Sequence, residues 1–125
     1  MNGEASGRTT RSLGQAAEDL ALAHLGAAGL ALVERNYRTP GRGGGEIDLV
    51  MRERDGTLVF VEVRSRGGAG FGGAAASIGA TKRRRIILAA RHYLLRWPAP
   101  PPCRFDAVLI DGGQVQWLRA AFDAE

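Results

Sequence analysis

The chain has one cysteine, Cys103, one lysine, Lys82, and two histidines, and each scarcity excludes something. A lone cysteine rules out an internal disulfide and any multi-cysteine zinc site. His24 and His92 lack the paired spacing of metal ligands and read as structural. No run approaches the roughly 20 apolar residues of a membrane-spanning helix, and the N-terminus has no apolar segment after its charges. Together these point to a cytoplasmic protein with no membrane partner. At 125 residues the chain is long enough for one cored domain and too short for two.

What it has in abundance is arginine. Lys and Arg together number 17 against 13 Asp and Glu, a net charge of +4. Such a balance favours a polyanionic partner, nucleic acid first, while saying nothing about fold. Arg, Ala and Gly are enriched along the whole chain, so an arginine in any single position says little by itself.

The most informative stretch runs from Gly45 to Arg66. Residues 46–51 and 58–64 read as the arms of a β-hairpin around the turn signal Arg54-Asp55-Gly56-Thr57. Side chains alternate along a strand, so Glu46, Asp48 and Val50 share one face, and Ile47, Leu49 and Met51 the other. Register decides whether the charges of the two arms meet. A two-residue turn sets Asp48 opposite Val63. A three-residue loop with Gly56 left-handed, the expected register together with its bulged equivalent, sets Asp48 opposite Glu62 and Glu46 opposite Arg64. The remaining faces, Ile47, Leu49, Met51 and Val59, Val61, Val63, are wholly apolar and belong in the middle of a sheet covered on both sides. Two carboxylates there are costly to desolvate without a compensating cation, and Mg²⁺ or Mn²⁺ is the economical choice. The bland alternative is a structural salt-bridge cluster around Glu62 and Arg64.

Elsewhere the pattern predicts a polar, disordered tail over 1–10 and one domain over 11–125. A helix is expected over 12–28, with Gly29 ending it. In it Glu18 has Gly14, Ala21, Leu22 and Leu25 as helical neighbours. That leaves two readings, an inward acid near the sheet or one at the core's edge reaching water. A strand over 30–37 and a glycine-rich loop over 41–45 lead into the hairpin. The segment 67–73 matches the dinucleotide pattern G-x-G-x-x-G. It lacks both a helix opening directly after it and an acid about twenty residues on, so no nucleotide cofactor is expected, only a flexible loop. A helix over 81–97 comes next, with Lys82, Arg83, Arg84 and Arg85 in its first turn. Cations are disfavoured by the helix dipole there unless anions meet them. The run therefore reads as phosphate-contacting, joined by Arg42 and Arg66, against the commoner solvated face. A proline-rich connector, a strand over 104–110, a turn and an edge strand over 114–118 complete the chain. The fold class is α/β, an α-β-β-β-α-β(-β) core with a mixed sheet flanked by helices.

This order, with an acid in the first helix, Asp on one strand and Glu-x-Arg on the next, resembles the PD-(D/E)xK, restriction-endonuclease-like nuclease superfamily. Within it the chain is similar to the YraN family. The residues that carry the likeness are Gly14, Glu18, Arg35-Asn36-Tyr37, Gly45 to Val50, Phe60 to Arg66, Lys82 and Arg104-Phe105-Asp106. The resemblance covers about residues 14 to 111, and its nearest functional relatives by pattern are archaeal Holliday-junction resolvases. It implies that Asp48, Glu62 and the Val63 carbonyl hold a divalent metal, with Glu18 reaching it directly or through water and Glu46 a further candidate. Arg64 stands where the superfamily motif has lysine. An arginine can stabilise phosphoryl charge but cannot act as a base. Lys82 is then the candidate for the missing ammonium. The implied activity is metal-dependent hydrolysis of DNA, branched or single-stranded DNA included, and a homodimer follows by analogy alone. Two alternatives stand beside it: a binding module that has lost turnover, and an interaction scaffold using the edge strand 114–118.

Overall fold

The computed structural model describes residues 10–66 and 78–124. The expected tail, apart from Thr10, and the glycine-rich segment 67–73 lie outside the described residues. In order come α1 (Thr10–Ala27), β1 (Ala31–Arg38), β2 (Glu46–Arg52), β3 (Leu58–Arg66), α2 (Ala80–Leu94), β4 (Cys103–Asp111) and β5 (Gln114–Phe122). The five strands form one mixed sheet in the order β1-β2-β3-β4-β5. All neighbours are antiparallel except β3 and β4, the pair joined through α2. This is the expected α-β-β-β-α-β-β arrangement. Helix α2 stops three residues earlier than predicted, and β5 runs four residues further.

Each helix covers one face of the sheet. Ala17, Ala21 and Leu25 of α1 pack on Leu49, Met51, Val59, Val61, Val108 and Ile110. Ile86, Ala89, Ala90 and Tyr93 of α2 pack on Tyr37, Ile47, Val50, Leu58, Phe60 and Phe105. The central strand β3 is thus buried on both sides, which explains its unbroken apolar run.

The hairpin turn is the three-residue form. Gly56 is left-handed at φ +95°, its N–H bonds the Glu53 carbonyl, and Arg52 pairs with Leu58. The ladder then runs to Leu49–Val61 and stops. Glu46 is drawn instead to β1, where it pairs with Arg38 in the ladder and lies 3.8 Å from its guanidinium. A second departure concerns Ile47, expected on one face with Leu49 and Met51. It packs in the α2 cluster while they pack against α1. The alternation is broken across Asp48, opposite Asn36, whose φ is +54°. A left-handed residue in a strand rotates the chain beyond it. Accordingly Arg35 reaches back to Glu18 and Asp19 on α1, whereas Tyr37, two residues on, packs with Tyr93 and hydrogen-bonds His92 on α2. His92 is thereby structural, as is His24 at the edge of Trp117.

Strand β5 gains its extra length from a fully buried acid. Asp106 accepts hydrogen bonds from Arg104 Nε (2.9 Å), Trp117 Nε1 (2.9 Å) and the Ala120 N–H (2.9 Å). Arg104 also reaches Glu53. The Ala120 bond secures a register shift between Phe105 and Ala107, where Ala120 is left-handed at φ +51°. Val115, Trp117 and Leu118 are half-buried and pack against the core clusters as part of this arrangement. Removing the acid leaves the Trp117 indole N–H and the Ala120 N–H without their acceptor and takes from Arg104 one of its two carboxylate partners. Asp106→Ala is expected to lower stability in urea by about 3 kcal/mol, and Asp106→Asn, which keeps the shape, by less.

Candidate functional site

Where the β2–β3 ladder stops, a side chain takes over the hydrogen bonding. The Val63 N–H donates to Asp48 Oδ2 at 2.8 Å. This holds the Asp48 carboxylate at the parting of the strands, beside Glu62 on β3. Glu62 is 4% exposed, and its Oε1 atom is buried without any hydrogen-bond partner. The other oxygen, Oε2, faces two cations: Lys82 Nζ at 3.7 Å and Arg64 Nη1 at 3.9 Å.

Lys82 comes from a different element, and its placement depends on how closely α2 approaches the glycine loop. A Cβ built on Gly45 would lie 1.9 Å from the Arg85 carbonyl oxygen and 2.8 Å from the Ala89 nitrogen. Only glycine lets the first turns of α2 settle there. Arg85 Nε donates to the Gly44 carbonyl at 3.3 Å across the same contact. The cationic first turn of α2 therefore meets a buried acid through Lys82. Arg83, Arg84 and Arg85 stay exposed beside it, with Arg42 exposed on the loop. Arg66 ends β3, and its side chain lies outside the described residues.

Glu18 enters from α1. It is half-buried, and Arg35 Nη2 donates to its Oε1 at 3.3 Å. Burial and then the charge of Asp48 raise its pKa, while Arg35 and Asn36 pull it back. Glu18, Glu46, Asn36 and Arg38 line a cavity of about 470 Å³ with Gly14 and Gln15. The acids expected at the site, Glu18, Glu46, Asp48 and Glu62, thus gather around one end of the sheet, with Arg64 and Lys82 against them. Not legible beforehand were Arg35 gripping Glu18, Asn36 lining the same cavity, and the use of Arg104 and Asp106 in holding β4 to β5. The one sequence signal for Asn36 is its residue type, since Asn tolerates the left-handed region better than most.

The protonation of the pair follows from its burial. Desolvation, and next the Asp48 charge, push the Glu62 carboxyl up to about 8, with Lys82 and Arg64 opposing. Burial also raises Asp48, against the pull of the Val63 N–H, Glu62 and Lys82. Two carboxylates this close cannot both ionise cheaply without a cation. An unpartnered buried oxygen beside a second carboxylate fits a divalent ion. Among the described residues no group of three or more acid, His or Cys side chains forms a ready cage. That suits a hard cation which takes one or two carboxylates, a carbonyl and several waters.

A mixed sheet with a helix on each face, and a carboxylate pair where its central hairpin opens, define a restriction-endonuclease-like protein. The sequence model of the uncharacterised protein family UPF0102 matches residues 17–110. UPF0102 proteins of Acidovorax sp. (strain JS42) and Paracidovorax citrulli are 77% and 75% identical to this chain, over 99% and 98% of it and 94% and 90% of their own lengths. That of Albidiferax ferrireducens is 66% identical, over 93% of this chain and 91% of its own length. The chain belongs to the UPF0102 family, the YraN family of the sequence resemblance. No described helix is long and apolar enough to cross a membrane.

A pH dependence follows from the buried pair. Without metal, the folded protein holds a proton on Glu62 that the unfolded chain, with its carboxyl near 4.5, has released. The folded state then binds more protons, so stability falls as pH rises from about 4.5 to about 8. Urea denaturation in chelator across this window should show the fall, and Glu62→Gln should flatten it.

Proposed function

We propose that this protein is a metal-dependent endonuclease that hydrolyses phosphodiester bonds in DNA. The observation that carries the reading is the buried Glu62 set beside the half-buried Asp48, with Glu62 Oε1 lacking a hydrogen-bond partner and Lys82 Nζ 3.7 Å from Oε2. A structural salt bridge does not need a second acid beside it, and the contrast with Asp106, whose oxygens are both bonded, is direct.

In this reading Asp48, Glu62 and the Val63 carbonyl hold Mg²⁺ or Mn²⁺, with Glu18 and Glu46 bonding its waters. When bound, the ion supplies charge to the phosphoryl oxygens and acidity to the attacking water. Water attacks phosphorus, a P–O ester bond breaks, and the leaving oxygen takes up a proton. Lys82 orients that water through the rotatable N–H donors of its ammonium, which the rigid guanidinium fork of Arg64 does not offer. Arg64 remains a fixed positive charge that stabilises the phosphoryl oxygens in the transition state. The Val63 N–H keeps Asp48 from turning away. Arg42, Arg66, Arg83, Arg84 and Arg85 contact the flanking phosphates, a term that weakens steeply with salt. Glu62 would have to give up its proton to hold a divalent ion with Asp48, so binding there would release protons and be favoured at higher pH.

End-labelled branched, duplex and single-stranded DNA, incubated with Mg²⁺ and with Mn²⁺, tests this. Cleavage should require metal and vanish with Asp48→Asn. Lys82→Ala should slow it by about 100-fold or more without weakening metal binding, since a competing cation is removed. No cleavage, with salt-sensitive DNA binding that survives Asp48→Asn, would instead establish a binding module. Arg64 in the lysine position of the superfamily motif is the feature that favours that second reading.

A further inference from the structure

We propose that the cleft between α2 and the end of β5 takes one unpaired nucleotide of the substrate strand, its base against Phe122 and Ile87 and its phosphate on Arg83 and Arg84. The inference rests on the nuclease reading and gives it a substrate class, DNA that is unpaired beside the cut. The cleft has a volume of about 530 Å³ and is lined by Arg83, Arg84 and Ile87 of α2 and by Ala121, Phe122 and Asp123. Small-ligand sites span roughly 300–1,000 Å³, so one nucleotide fits. Residues 83, 84 and 87 share one side of the helix, being three and four positions apart. Lys82 heads the neighbouring stripe, whose Ile86, Ala89, Ala90 and Tyr93 are buried against the sheet, and meets Glu62. The cleft is therefore one step around the same helix from the carboxylates. A strand with one phosphate at Lys82 has a neighbouring nucleotide within reach of it.

The two parts of the cleft suit the two parts of a nucleotide. Arg83 and Arg84 are exposed, and no ion pair among the described residues uses either. Arg84 Nη2 donates to Thr81 Oγ1 at 3.3 Å, which steadies the guanidinium without neutralising it. Asp123, exposed at the rim, is the one acid on the wall, and two guanidinium charges outweigh it. Phe122 is half-buried, with its ring stacked on the buried Phe105 at a centroid distance of 5.0 Å. A base would lie on the ring face away from Phe105, beside the half-buried Ile87. Single-strand binding uses this division, with cations tracking the backbone while an aromatic ring takes the base. A duplex keeps its bases in the stack, so it gains from the arginines and not from Phe122. An acidic peptide with an apolar side chain has related chemistry. The place of the arginines next to Lys82 and Glu62 favours a strand that runs through the site.

Ala121→Leu isolates the base, because it narrows the cleft from an exposed position and leaves every charge in place. Fluorescence anisotropy on the full chain, in chelator to stop metal-dependent cleavage, would compare three probes. These are labelled oligo(dT), a strand of equal length made of abasic sites, and a duplex. The wild type should bind oligo(dT) about tenfold more tightly than the abasic strand. Ala121→Leu should remove that difference and bind the abasic strand and the duplex as the wild type does, with the same salt dependence. Arg83→Gln combined with Arg84→Gln should weaken all three and lower the salt slope by about 1–2. A 5-iodouracil strand photocrosslinked to the wild type should label the peptide around Phe122, a readout that needs no variant to fold. Equal affinity of the wild type for the two strands would overturn the proposal. So would an oligo(dT) preference that survives Ala121→Leu, or crosslinks that avoid Phe122. An acidic, apolar peptide that binds the wild type and not Ala121→Leu, with DNA indifferent to the change, would assign the cleft to a protein partner instead. If the wild type binds neither strand nor duplex, the nucleic-acid reading itself fails. That result is distinct from a protein that binds DNA and ignores Ala121→Leu.

Discussion

The hydrogen bond from the Val63 N–H to Asp48 is the interaction on which the rest of the site depends. Up to Leu49 and Val61 the hairpin is an ordinary antiparallel ladder. At the next step a backbone acceptor is replaced by a carboxylate, and the strands cease to be a closed pair. The donor stays satisfied, as a buried N–H must, while an acid is fixed at the opening. Ile47 can then pack toward α2 while Leu49 packs toward α1, and the left-handed Asn36 makes the matching change on β1. The end of the sheet becomes accessible to side chains from both helices, Glu18 from one and Lys82 from the other.

The two buried acids among the described residues, Asp106 and Glu62, show how environment separates roles. Asp106 is surrounded by donors from Arg104, Trp117 and Ala120, and its work is to hold a bulge and an edge strand. Glu62 has one oxygen facing Lys82 and Arg64 at nearly 4 Å and the other facing nothing. A satisfied buried acid contributes to the fold, whereas an unsatisfied one holds a proton until a cation replaces it. Such an arrangement lowers stability in the absence of a ligand, and sites of this kind are commonly functional. The charge run at the start of α2 belongs to the same balance. Its placement against the helix dipole is compensated at Lys82 by Glu62 and left open to solvent at the three arginines beyond.

Much of this was legible in the chain because it depends on short-range periodicity. The alternating arms around Asp55-Gly56, the three-residue loop and hence the alignment of β2 with β3 follow from turn chemistry and from the need to bury one apolar set. The helix-flanked mixed sheet follows from element order, since a strand-helix-strand link leads to parallel pairing. The acids at 18, 48 and 62 stood out because charge in an apolar stripe is costly.

What the sequence by itself determined, then, was the order of elements, the hairpin register near its turn, and the identity of the acids. Those depend on neighbours in the chain, whose spacing sets which side of a helix or strand each residue occupies. Only the tertiary structure decided where the ladder opens, that Ile47 crosses to the other face, that Arg35 holds Glu18, and that Lys82 reaches Glu62. It also decided that Asp106 is an element of the fold and not of the site, and that β5 extends to Phe122. Each of these is a contact between residues distant in sequence. The close approach of α2 at Gly45 brings Lys82 to Glu62, and buried donors claimed by side-chain carboxylates place Asp48 and Asp106, which no local pattern encodes.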